Sequence, residues 1–266
     1  MATAAPVYDG GNVSIGRVFQ RAFSAIQLNP TVILGLALVV GAVPGLILTY
    51  LLVQSGFGAS SGFQSGFSLS RLIGASFFSG IISMVIAAFV QGALTRATVA
   101  ANEGQRATFA ESFSTALRVL LPLIGLSILI GIGVMFGFIL LIVPGIILLL
   151  MWAVAVPALV VERIGIMAAL SRSAELTKGV RLKILGLFLV LGVAFWLLSI
   201  VLGFVGLKMY GPATAAYGFG IGNLLGSAIL GTISNVLWGT IQPSLYVELR
   251  QAKEGTSAER LAEVFA

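Results

Sequence analysis

The chain has 266 residues, 58% of them hydrophobic and only 9% charged, whereas a soluble domain carries about 25% charged residues. It has no cysteine and no histidine, which excludes disulfides, cysteine-based zinc sites, haem ligation by histidine and every histidine-dependent catalytic arrangement. The net charge of +6 is spread through loops between apolar runs, with no aromatic-interleaved basic patch; this excludes nucleic acid as the natural partner and favours anionic lipid headgroups.

Met1 to Asn12 hold no basic region followed by an apolar core, so insertion through an internal span is expected rather than a cleaved leader. Asn12 or Ser14 then precedes a helix expected over 14–28. Ile15, Val18, Phe19, Ala22 and Ile26 fall on one face of it and Arg17, Gln20, Arg21, Ser24 and Gln27 on the other. Asn29-Pro30 ends it, and the charge-free stretch 31–53 spans about 34 Å at 1.5 Å per residue. Pro44-Gly45 within that span predicts a kink or a break. Residues 54–70 are rich in Gly and Ser and read as a loop, followed by a second span over 72–94 between Arg71 and Arg96.

Thr108-Phe109-Ala110-Glu111 matches a capping box, in which hydroxyl and carboxylate satisfy the free N–H groups of a helix start. It opens an amphipathic helix over 108–118 with Phe109, Phe113 and Leu117 on one face. The charge-free run from Val119 to Val161 is too long for one span and suits two, 119–141 and 145–161, turning at Ile142-Val143-Pro144-Gly145. Another amphipathic helix is expected over 165–179, closed by Gly179, then a fifth span over 184–205. Lys208 to Gly220 reads as an interfacial turn, 221–247 as a sixth span bent by Pro243, and 257–265 as a short tail helix opened by Thr256 and Glu259.

Charge distribution orders these segments. With both termini, the 95–118 loop and the 162–183 loop placed on one side, every Lys and Arg except Arg71 and Lys208 lies there, together with all nine acidic residues. Translocating Lys and Arg is unfavourable, so that side is cytoplasmic. The expected fold is therefore all-α: a single polytopic membrane domain with six spans, both ends cytoplasmic, and short amphipathic helices on the cytoplasmic face. A repeat of amphipathic helix plus hairpin is suggested by the match between Val43-Pro44-Gly45-Leu46-Ile47-Leu48 and Val143-Pro144-Gly145-Ile146-Ile147-Leu148.

Within the spans no Asp or Glu occurs, no Ser-Lys pair shares a span, and no G-x-x-x-x-G-K-[ST] sequence is present. Intramembrane carboxylate catalysis, nucleophilic lipid hydrolysis and ATP hydrolysis thus have no candidate residues, and neither a metal nor a cofactor is called for. Gly41-x-x-x-Gly45, Gly133-x-x-x-Gly137 and Gly222-x-x-x-Gly226 permit close helix contact. Asn235, near the middle of the sixth span, is the candidate intramembrane polar site; it serves either a polar solute or a hydrogen bond between helices. The basic loop offers Arg163, Arg172, Lys178, Arg181 and Lys183 as candidate contacts to anionic lipid heads or a protein partner, or as purely topogenic charges. Glu162 and Arg172 are a candidate structural ion pair.

Val143-Pro144-Gly145-Ile146-Ile147, Trp152, Pro157, Glu162, Ala169 to Ser173, Leu176-Thr177-Lys178-Gly179 and Tyr246-Val-Glu-Leu-Arg250 resemble the bacterial glycerophosphoryl diester phosphodiesterase membrane-domain family. The resemblance covers about 108–265. It implies an all-helical inner-membrane module related to lipid or envelope processes, and no catalysis, because the metal-binding carboxylates and histidine of the soluble phosphodiesterase domain have no counterpart. The expected role is a non-catalytic, lipid-facing scaffold or accessory subunit, with a protein partner or a second copy of the chain as further binding candidates. A transporter component for a small solute or lipid is the alternative.

Overall fold

The computed structural model describes residues 13–54, 69–217 and 221–255, and among them the fold is all-α, with no strand. The tail helix expected over 257–265 and the loop segment 55–68 lie outside the described residues. Helix α1, Ile15–Leu28, is amphipathic as its spacing requires, with Val18, Ala22 and Ala25 buried. Ser14 stands at its N-cap without a side-chain cap; its N–H instead points 3.4 Å to Glu248 Oε1. Asn29 breaks the helix, its side chain donating to the Ala107 carbonyl at 2.6 Å, and Pro30 starts α2, Pro30–Gly35, at a position where a missing N–H costs nothing.

The first span does not break at Pro44. It continues through a π-helical segment, Leu36–Ala42, into α3, Val43–Gln54. Proline cannot donate to the carbonyl four residues back, and its ring crowds that carbonyl. The turns before Pro44 widen instead, and the Val43 N–H reaches back five residues to Leu38 O. The second copy of the motif has another role. Pro144 lies in the first turn of α6, Ile142–Met151, just after the extended residue Leu141. The two VPG segments are thus alike in sequence and unlike in position.

Helix α4, Leu69–Asn102, and α5, Phe109–Leu140, follow. The capping box forms as its pattern dictates: Glu111 N–H donates to Thr108 Oγ1 at 3.2 Å and Thr108 N–H to Glu111 Oε2 at 3.0 Å. No separate helix ends at 118, however. Nothing between Leu117 and Val119 interrupts the backbone ladder, so amphipathic start and third span are one helix. The fourth span is in turn two pieces, α6 and α7, Ala155–Glu162, joined by a turn at Trp152–Val154. Pro157, in the first turn of α7, cannot continue a ladder from α6. The carbonyl and amide at the break are satisfied from another helix: Ser173 Oγ donates to Met151 O at 2.8 Å and accepts from Val154 N–H at 3.2 Å.

Arg163, with φ 52°, closes α7, and α8, Ile166–Thr177, ends before Gly179, whose φ of 86° suits glycine. Helix α9 runs from Arg181 to Tyr217, so 208–217 is helix where a turn was expected; Ala213, Ala215 and Ala216 favour its propagation. Helix α10, Ile221–Glu254, is the less apolar partner. Among the described residues five helical stretches are long and apolar enough to cross a membrane: Pro30–Leu51, Ser76–Asn102, Phe109–Leu140, Ile142–Glu162 and Arg181–Val205. The expected sixth, 221–247, forms the main part of α10, which carries Asn235, Thr240, Gln242 and Ser244.

Packing is uneven along the bundle. Buried residues concentrate in the second half of α4 (Ala88 to Ala101), the first half of α5 (Ser112 to Leu126), the start of α9 (Ile184 to Leu191) and the second half of α10 (Val236 to Leu249). This is the end where the charged residues collect. Toward the opposite end the helices expose apolar faces, as at Phe77, Phe78, Ile139, Leu140 and Trp196, which suits a surrounding of lipid.

Candidate functional site

Two polar constellations stand out, one at the charged end and one inside the spans. The first is built around the last turns of α10. Glu248 is only 3% exposed and accepts from Arg17 Nε at 2.6 Å, with Arg21 Nε 3.2 Å from its second oxygen. This fastens α1 to α10. Two residues earlier, Tyr246 donates its hydroxyl hydrogen to Glu162 Oε1 at 2.7 Å. Arg172 Nε donates to the same carboxylate at 2.9 Å, its Nη2 donates to Glu254, and Arg250 Nε reaches Glu254 at 3.1 Å. A chain of tyrosine, two carboxylates and two guanidinium groups therefore ties α7 and α8 to α10.

Arg172 and Glu254 favour each other's charged form. Burial disfavours the Arg172 guanidinium, but Glu254 and Glu162 outweigh it and push its pKa above the usual value. Burial likewise raises that of Glu254, and the hydrogen bonds from Arg172 and Arg250 overcome this and hold it below the usual carboxylate range. A depressed folded pKa contributes stability that is fully present above the unfolded value of about 4.5 and is lost as pH falls through the folded value. The melting temperature of the detergent-solubilised chain should accordingly hold steady down to about pH 5 and decline below about 4.5. Glu254→Gln should melt lower at neutral pH and lose less on acidification; identical pH profiles for the two proteins would refute the contribution.

The five basic residues of the 162–183 loop do not make one patch. Arg172 is used inside the network, and Lys183 Nζ donates to Val13 O at 3.3 Å. Arg181 is half-buried, its Nε enclosed without a hydrogen-bond partner among the described residues. Arg163 and Lys178 are exposed. Thr177 adds its hydroxyl to Met151 O at 3.3 Å, so Ser173 and Thr177 of α8 both help to close the α6–α7 turn.

The second constellation is a cleft of about 380 Å³ between the π segment with α3, α4 and α10. Gly41, Gly45 and Thr49 line it from the first span, and Ser79 and Ser83 from α4. Helix α10 contributes Ala228, Gly231 and Asn235. Asn235 sits against Gly41 so closely that a side chain there would place its first carbon 2.6 Å from Asn235 Nδ2. Its amide makes no hydrogen bond among the described residues, whereas two other span amides pair with each other, Gln91 Nε2 donating to Gln242 Oε1. Helices α4 and α10 run in the same direction, so Thr98 and Asn102 also reach α10, the former donating to Gly239 O at 3.4 Å and the latter to Ser244 at 3.3 Å. Asn235 is left over from this sealing, as is the buried hydroxyl of Thr95 on α4.

Sequence reading singled out Asn235 and the VPG segment but not the cleft that joins them. The signal was present as small or hydroxyl residues at helical spacing, at 41, 45 and 49, at 79 and 83, and at 228, 231 and 235. Glu248 and Glu254 were overlooked because a carboxylate beside a basic tail reads as an ordinary solvated charge. Of the three G-x-x-x-G sequences, Gly133 and Gly137 are in close contact, against Trp152 and against Gly145, while nothing approaches Gly226. Among the described residues no cluster of metal-ligating side chains occurs. No protein-family model, curated protein or solved structure matches this chain.

Proposed function

We propose that the chain is a non-catalytic, lipid-facing scaffold or accessory subunit of the bacterial inner membrane, with its charged end cytoplasmic. The observation that carries this reading is the clamped platform at the charged end. There α1 and α8 are fixed to α10 by ion pairs, while Phe23 on α1, 52% exposed, and Met167 on α8, 70% exposed, stay uncovered and Arg163 and Lys178 are exposed just before and just after α8. An end that presents both apolar side chains and cations suits the headgroup boundary of an anionic leaflet. The placement of basic residues supports cytoplasmic termini, and the resemblance to the phosphodiesterase membrane-domain family supports a lipid or envelope setting. A protein partner or a second copy of the chain would dock on this platform or on the spans.

At roughly 1 kcal/mol for each cation near the surface, Arg163→Gln with Lys178→Gln should cut retention of phosphatidylglycerol about tenfold or more in native mass spectrometry. The melting temperature should not move, because neither side chain belongs to the internal network. Unchanged lipid retention in the double variant would leave these charges only a topogenic role.

A transporter component is the second reading, favoured by the intramembrane cleft. Solute flux in liposomes that is lost on Asn235→Leu with assembly intact would support it; no flux across a broad solute panel would count against it.

A further inference from the structure

We infer that the Asn235 cleft binds the uncharged head of a neutral glyceride, a lipid of the diacylglycerol class that enters sideways from the bilayer. The inference goes beyond the scaffold reading and rests on it only for the chain's place in a bilayer.

Charge decides the class first. None of the lining residues is Lys, Arg, Asp or Glu. Asn235 lies about 20 Å along α10 from Glu248, at 1.5 Å per residue. A phosphate or ammonium at that depth would be stripped of water with no counter-charge, which is unfavourable by several kcal/mol. An uncharged group that hydrogen-bonds carries no such penalty.

Hydrogen-bonding capacity narrows the class. The Asn235 amide offers two N–H donors and one acceptor, and neither it nor the Ser83 hydroxyl has a partner among the described residues. Thr49 Oγ1 donates to Gly45 O at 2.8 Å and Ser79 Oγ to Ser76 O at 3.1 Å, so both hydroxyls have their hydrogen committed and their lone pairs available. The cleft thus combines donors at Asn235 and Ser83 with acceptors at Thr49 and Ser79. A diacylglycerol presents the complement, two ester carbonyls that accept and one hydroxyl that donates.

Size and surroundings agree. Glycerol with its two ester groups has about ten non-hydrogen atoms, roughly 300 Å³ at the space a water molecule takes, and the cleft holds about 380 Å³. Elsewhere on α3 and α4, Ile47, Tyr50 and Phe78 expose large apolar side chains, which suits a surrounding of acyl chains. Gly231 keeps the floor open, since nothing approaches within 4 Å of where its side chain would begin.

The full chain in phosphatidylcholine nanodiscs, exposed to a diacylglycerol with a diazirine on the first acyl carbons, provides the test. Saturable labelling of α3, α4 and α10 peptides is expected, competed by unlabelled diacylglycerol but not by phosphatidylglycerol. Asn235→Leu should reduce it about tenfold, the size of one or two lost hydrogen bonds, and so should Gly231→Leu, which fills the cleft. Because position 231 opens on free space, that variant decides the matter if Asn235→Leu fails to fold. Labelling unchanged in Gly231→Leu, or competed equally by phosphatidylglycerol, overturns the proposal. Lipid retention through Arg163 and Lys178 reads the opposite part of the molecule, so either idea can fail alone.

Discussion

Glu248→Ala should free the first helix from the bundle. In the intact protein this carboxylate is 3% exposed and holds two guanidinium groups, so its loss leaves Arg17 and Arg21 facing a buried hole on α10. Removing one partner of a buried pair costs about 3–5 kcal/mol. Arg17 and Arg21 are 32% and 24% exposed and can turn to water, which places the expected loss nearer 2–3 kcal/mol. The apolar face of α1, with Val18 and Ala22 buried against α10 and its neighbours, retains part of the contact. Trypsin should then cut after Arg21 at least tenfold faster than in the native chain, with Glu248→Gln in between because it keeps an acceptor. Equal cutting rates would mean that apolar packing alone anchors α1.

Gly137→Val should open the α5–α6 hairpin. The first side-chain carbon at 137 would stand 2.8 Å from Gly145 Cα and 3.1 Å from Gly145 N. These are backbone atoms and cannot rotate away, unlike the far end of a flexible chain. From the other side, a carbon at Gly145 would lie 2.6 Å from the Phe138 ring. Overpacking typically costs about 1–3 kcal/mol, and a backbone neighbour that cannot turn aside puts this site at about 3 kcal/mol. Gly131→Val is the matched control, because the space at 131 is open. Melting in detergent should fall by several degrees for the first variant and stay level for the second; equal melting of the two would show that the helices separate without strain.

The fold was legible wherever one segment determines its own state. Charge-free runs marked the membrane-length helices, Thr108 and Glu111 announced the start of α5, and Gly179 stood just past the end of α8. Features that depend on partners far along the chain were not. The turn at Trp152–Val154 is stable because Ser173 supplies both a donor and an acceptor, and neither Pro157 nor Trp152 says so. Lys208 to Gly220 carries Gly and Pro, which signal a turn locally, yet a helix already long continues through to Tyr217. The residues quoted for the family resemblance largely have structural duties: Glu162, Arg172, Tyr246 and Arg250 build the network, while Ser173 and Thr177 close the turn.

In the candidate site the contrast is sharper. Asn235 was visible as a polar residue in an apolar helix, but its freedom depends on which other amides are already paired, and that is a property of helix direction. Because α4 and α10 run the same way, Gln91 meets Gln242. An antiparallel arrangement would have brought different residues together. Equally, the five cations of the 162–183 loop looked equivalent in sequence, and burial sorts them into a structural arginine, a tethered lysine, an enclosed arginine and two exposed charges.

The π segment acts as a change of phase. An α-helix turns about 100° per residue, so its faces repeat in step along its whole length. A stretch that bonds five residues back takes an extra residue into each turn and delivers the following helix rotated against the preceding one. Leu36 and Ala37 lie in the core with α4 and α10, and Gly41, Gly45 and Thr49 face the same two helices across the cleft. The extra residue per turn thus keeps one apolar string turned to the same neighbours, sealed against them below and parted from them above.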